Sequence, residues 1–172
     1  MGCSLCIEPS EGVDNPQAFK TIDYAIMAAH ERGIRVIIIV AGNCSYCRMS
    51  GGGGYVLWSG YHDLKRFFTA PRIIAAFEAP IRAVLNHRNV YTGIAYRDDP
   101  TIMAWESCKV CGLGAPGPDF TKNSELYLRW IDTIGSFIKS IEPSAAGQQI
   151  VRPRLGGSQH SASKTRIQQA ME

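Results

Sequence analysis

Five consecutive apolar residues, Val36-Ile37-Ile38-Ile39-Val40, set the first constraint on this chain. All five are β-branched, and no polar residue alternates with them. Such a run leaves no strand face for water, so it is predicted as a buried strand of a parallel sheet. The residues before it supply a cover. Asp14-Asn15-Pro16 reads as a helix start, with a capping side chain and Pro in the first turn. Phe19, Ile22, Ile26 and Ala29 then recur at helical spacing, and Gly33 is placed to end the helix.

The same alternation continues along the chain. A long Gly-rich loop is expected from Ala41 to Phe68, around Gly51-Gly52-Gly53-Gly54. A second helix is predicted from Thr69-Ala70-Pro71, with Ile73, Ile74, Phe77, Ile81, Val84 and Leu85 as its apolar stripe. Pro80 falls inside it, where a missing N–H and a ring clash cost roughly 3 kcal/mol. Thr101 to Trp105 reads as the next strand. A third helix is predicted from Asn123 or Ser124, carrying Leu126, Trp130, Ile131, Ile134, Ile138 and Ile141 before Pro143. The order α-β-α-β-α predicts an α/β fold with a parallel sheet. The division expected is a short segment 1–10, a body 11–143 and a polar, basic tail 144–172 without regular structure.

Charge narrows the partners. The net charge of +3 is accounted for by the tail, where Arg152, Arg154, Lys164 and Arg166 face Glu172 alone. A near-neutral body argues against nucleic acid or a membrane surface as partner. No apolar run reaches the length of a transmembrane helix. Met1 to Ser10 has neither a basic n-region nor an apolar h-region, so the chain as written is expected to remain cytoplasmic.

One stretch carries a family signature. Tyr96-Arg97-Asp98-Asp99-Pro100-Thr101-Ile102-Met103-Ala104-Trp105-Glu106 closely resembles the entry into strand four of the endo-β-1,4-mannanases of glycoside hydrolase family 5, the plant type above all. Phe19 to Tyr24, Gly33-Ile34-Arg35, Gly54 to Trp58, Phe67-Phe68-Thr69, Val84 to Asn89, Thr92-Gly93 and Lys139 to Pro143 resemble further family segments in the same order. The resemblance implies an incomplete (β/α)8 TIM barrel, about strands three and four with their flanking helices, since a complete barrel takes about 250 residues. It implies a secreted family that cleaves β-1,4-mannosidic bonds in mannan, glucomannan and galactomannan through two Glu residues. A mannan-type polysaccharide is therefore the expected partner, with no cofactor; nothing in the sequence sets the oligomeric state.

The departures are specific. After Trp105-Glu106 the family continues to Asn-Glu, the Glu being its acid/base; here those positions are Lys109 and Val110. The family's strands one and two and five to eight, the latter with the nucleophilic Glu, have no counterpart in the sequence. A retaining glycosidase needs two carboxyl groups about 5–5.5 Å apart. No catalytic residue is therefore assigned, and hydrolysis is not expected of the chain as written. Glu106 shares the strand with Val110 but lies about 13 Å lower, and reads as a buried barrel residue. Asp98 and Asp99 read as turn caps. Asn43 (the one residue kept of the family's Asn-Asn-Trp), Tyr55, Trp58 and Trp105 are the candidate sugar contacts, because aromatic faces stack on sugar rings. A non-catalytic carbohydrate- or partner-binding protein is the alternative.

All six cysteines fall in CxxC pairs: Cys3/Cys6, Cys44/Cys47 and Cys108/Cys111. On the barrel template, Cys44, Cys47, Cys108 and Cys111 occupy adjacent loops, so a four-thiolate zinc site is conceivable. The pairs are about 60 residues apart, longer than zinc-ribbon spacing. Ordinary thiols are the favoured reading, with disulfides and zinc or redox chemistry as alternatives. His30 and His87 are expected as surface or helix-end residues.

Overall fold

The computed structural model describes residues 6–40, 52–107, 118–142 and 149–151. Helix α1, Pro16–His30, begins as its sequence requires: the Asn15 side chain accepts from the Gln17 amide at 3.1 Å, and Pro16 occupies the first turn. Beyond it Gly33 takes φ +66, a conformation open to a residue without Cβ. Strand β1, Val36–Ile39, follows.

The connection to the second strand holds more structure than its glycines suggested. Within the expected loop 41–68 lie α2, Gly52–Trp58, and the start of α3, Arg66–Thr69. Phe67 and Phe68 are core residues, and their burial holds α3 in place. Helix α4, Pro71–Asn86, contains Pro80 without ending there, and buries the predicted Ile73, Phe77, Ile81, Val84 and Leu85. A 3-10 turn, Tyr96–Asp98, leads into β2, Ile102–Glu106. Helix α5, Pro118–Ile141, starts five residues before the predicted Asn123. Strand β3, Gln149–Val151, forms inside the tail expected to lack regular structure.

The three strands pair in the order β1-β2-β3, parallel throughout. Among the described residues the sheet is not closed. Its register shifts between Val36↔Ile102 and Ile37↔Ala104, so Met103 is an extra residue on β2. This bulge puts both Ile102 and Trp105 beside the helix-facing Val36 and Ile38. The core lies on that side, formed by the sheet with Phe67, Phe68, Phe77, Tyr127, Trp130 and Ile134. Rings mesh closely there: Phe68 is 4.7 Å from Tyr127, and Phe67 is 5.3 Å from Trp130.

The other side of the sheet is open. Ile37 is 46% exposed, Ile39 41% and Met103 42%. The apolar run of β1 was expected to be buried on both faces; among the described residues, helices cover one face of the three-stranded sheet and no second layer covers the other.

Candidate functional site

In parallel α/β sheets chemistry gathers at the carboxyl ends of the strands. Here the two strand ends are joined by the Val40 amide donating to the Glu106 carbonyl at 2.9 Å. Glu106 pairs with Ile39 and stands on the open face, half-buried. Ser107 follows, buried, with no partner for its hydroxyl among the described residues. Asn43, Cys44, Cys47, Cys108, Lys109, Val110 and Cys111 lie outside the described residues.

The aromatic candidates divide by burial. Tyr55 is 4% exposed, packed edge-on to Trp58 and Phe77, and its hydroxyl donates to Glu8 Oε2. Trp105 is 1% exposed and hydrogen-bonded to the Glu142 side chain. Neither presents a ring face to a ligand, which departs from the sequence-based expectation for both. The cause is the bulge at Met103, which turns Trp105 toward the helices, and α2, which folds Tyr55 inward. Trp58 is half-buried, its ring packed against that of Tyr55.

Beside α2 a cavity of about 280 Å³ is lined by Gly53, Val56, Leu57, His62 and Leu64. A second, about 250 Å³, lies at the amino ends of β1 and β2 between His30, Gly33, Ile34, Arg35, Pro100 and Thr101. Among the described residues, no cluster of His, Cys, Asp or Glu is placed to hold a metal ion.

The densest polar network sits at the amino end of the strands, opposite the expected chemistry. Asp23 is fully buried in α1. It accepts from the Tyr96 hydroxyl at 2.6 Å, His87 Nε2 lies 3.0 and 3.1 Å from its two oxygens, and the Val90 amide reaches it at 3.3 Å. Asn89 Nδ2 donates to the Asp23 carbonyl at 2.9 Å. Burial first, and then the bond to Asp23, push the Tyr96 phenol far above its ordinary range, so it stays a proton donor. Asp99 caps the turn before β2 by accepting the Thr101 amide at 2.8 Å. His30 Nδ1 lies 3.0 Å from Thr101 Oγ1. His87 stands at the end of α4, as expected, and also joins this network. Asp23 went unrecognised in the sequence, although a carboxylate amid Phe19, Ile22 and Ile26 on an apolar stripe signals a buried partner.

Burial raises the carboxyl groups of both Glu8 and Glu142. At Glu8 the Gly12 amide opposes the rise, and at Glu142 the Trp105 indole does so.

The family model described as "GH family 5 beta-mannosidase-like" matches residues 3–169. Mannan endo-1,4-beta-mannosidase 4 of Oryza sativa subsp. japonica is 30% identical over 156 residues, covering 88% of this chain and 32% of the relative. Mannan endo-1,4-beta-mannosidase 1 of Arabidopsis thaliana is 27% identical, covering 82% and 33%. Among solved structures, the hyperthermostable endo-1,4-beta-D-mannanase of Thermotoga petrophila RKU-1 superposes with a TM-score of 0.71 at 31% identity, over 84% of this chain and 41% of that one. The endo-1,4-beta-mannanase of Rhizomucor miehei does so at 0.65 and 28%, over 81% and 40%. The chain spans about a third of the length of the curated relatives it matches. On a family match over nearly the whole chain and a shared fold, this protein belongs to the glycoside hydrolase family 5 β-mannosidase-like family.

Proposed function

We propose that this chain is a mannanase-type member of the family that binds β-1,4-mannan but does not hydrolyse it. The single observation that carries the loss of activity is Val110, which stands where the family resemblance puts the acid/base Glu. A Val side chain has no proton to give to the leaving oxygen and cannot activate water. Lys109, at the neighbouring Asn position, supplies a cation in place of a neutral amide. Losing one member of a catalytic pair typically removes orders of magnitude in rate.

The mannan class rests on the plant relatives and on the superposed mannanases, all named for that linkage. Support for residual binding is narrower than the sequence suggested, because Trp58 alone of the three described aromatic candidates is not fully buried.

The test is reducing-sugar release from soluble galactomannan by the purified chain, alongside retardation in a mannan-containing gel. No release is expected from the chain as it stands. Measurable turnover that survives in a Val110→Ala variant and disappears on heat denaturation would refute the inactive reading. Retardation abolished by Trp58→Ala is the result expected if binding persists.

A further inference from the structure

The functional reading leaves two features unused. One is the disulfide at Cys6, which departs from the expectation of ordinary thiols; its partner lies outside the described residues. The other is the cleft of about 250 Å³ at the amino ends of β1 and β2, at the opposite end of the sheet from the expected chemistry. Two hydrogen-bond donors line it. Arg35, just before β1, is exposed, and its guanidinium has no hydrogen-bond or ion-pair partner among the described residues. Asp119 and Glu172 apart, every acidic side chain of the protein is described, and none of them pairs with Arg35. His30, in the last turn of α1, has Nδ1 3.0 Å from Thr101 Oγ1. Where the buried Thr101 hydroxyl donates to Nδ1, the ring proton sits on Nε2; a protonated ring also carries it there. Nε2 has no partner among the described residues.

The acceptors nearby are engaged. Asp99 is buried and accepts the Thr101 amide at 2.8 Å, while Glu31 faces Arg32 and Asp98 faces Arg97, each at 3.6 Å. The carbonyls that end α1 are taken as well: Ala28 by the Arg32 side chain, Ala29 by the Arg32 and Ile34 amides, His30 by the Gly33 amide. The cleft therefore offers donors and positive charge to a ligand. We propose that it binds a small oxyanion, phosphate or carboxylate, held by the Arg35 guanidinium and His30 Nε2–H. The planar fork of Arg matches two oxygens of either group, and an anion selects the ring forms with a proton on Nε2. Thr101 is a positioning residue that fixes the ring. Ile34, 54% exposed, gives the cleft an apolar wall for the organic body of such a ligand.

The experiment titrates the isotope-labelled 172-residue chain with inorganic phosphate, and in parallel with malonate, at constant ionic strength. NMR follows the His30 ring and the Arg35 and Thr101 amides. Saturable shifts confined to these residues are expected from at least one anion. Saturation by phosphate alone assigns a phosphorylated ligand, and by malonate alone a carboxylated one. Arg35→Gln should weaken binding about tenfold, the loss of a hydrogen bond to a charged group, and His30→Phe should weaken it less. Arg129→Gln, on the exposed side of α5, should bind as the wild type does. Should Arg35→Gln not fold, the location of the wild-type shifts, set against those of Arg129→Gln, decides. Three results overturn the proposal: neither anion saturates, so that only screening is seen; the shifts spread over the surface Lys and Arg residues; or Arg35→Gln binds as tightly as the wild type.

Discussion

Replacing Asp23 tests the reasoning about this fold most directly. Its carboxylate is fully buried and serves three donors from three places: Tyr96 from the turn before β2, His87 from the end of α4, and the Val90 amide. Asp23→Ala strands these donors. A buried polar group without a partner costs about 1–3 kcal/mol. Tyr96 is 0% exposed and bears that in full, whereas His87 is partly exposed and can turn to water. The expected loss is about 2–4 kcal/mol, with the Tyr96 hydroxyl stranded in full and the Val90 amide and His87 only in part. Tyr96→Phe removes one donor and leaves Asp23 its other partners, for about 1 kcal/mol. Against a typical domain stability of about 5–15 kcal/mol, urea unfolding separates the two variants clearly. The pH dependence gives a second reading. The Tyr96 phenol is raised in the folded state, so its contribution is present below the unfolded value of about 10 and is lost as pH rises above it. The wild type should lose stability above about pH 10, and Tyr96→Phe should lose less. An Asp23→Ala loss under about 1 kcal/mol, or a Tyr96→Phe loss as large as that of Asp23→Ala, would refute the network's role.

Four further outcomes are expected. Glu142→Gln should stabilise the chain at neutral pH, because burial disfavours the carboxylate while the amide oxygen can still accept from Trp105; the gain should vanish as pH falls to the ordinary 4.5 and below, read from melting temperature against pH. Pro80→Ala should raise stability by about 1–3 kcal/mol in denaturant unfolding, by restoring a hydrogen bond inside α4. Phe77→Ala, deep in the ring cluster, should lose about 3–5 kcal/mol. Ile37→Lys, on the open face, should change stability by less than about 1 kcal/mol and improve solubility. A large loss from Ile37→Lys would mean that this face is covered.

Much of this molecule can be read along the chain because its signals are local. Asn15-Pro16 and Gly33 mark the ends of α1 by capping chemistry and backbone freedom, and both act within a few residues. The stripes of α4 and α5 are set by helical period, and the buried Ile73, Phe77, Ile81, Trp130, Ile134 and Ile138 follow it. That position 110 holds Val is likewise a fact of sequence, visible without coordinates.

Other features depend on residues far apart in the chain, and no local pattern announces them. Trp105 looked like a sugar contact until the extra residue Met103 turned it toward the core, and that register exists only when β1 lies beside β2. Glycines 52–54 read as loop, but packing of Tyr55 and Val56 against the core makes them the start of a helix. Asp23 and His87 are 64 residues apart, and their partnership appears only when α1 and α4 meet. The run of β-branched residues in β1 specified a strand; which of its faces would be dry was settled by how many layers packed against it, because burial belongs to the assembled sheet and not to the residue.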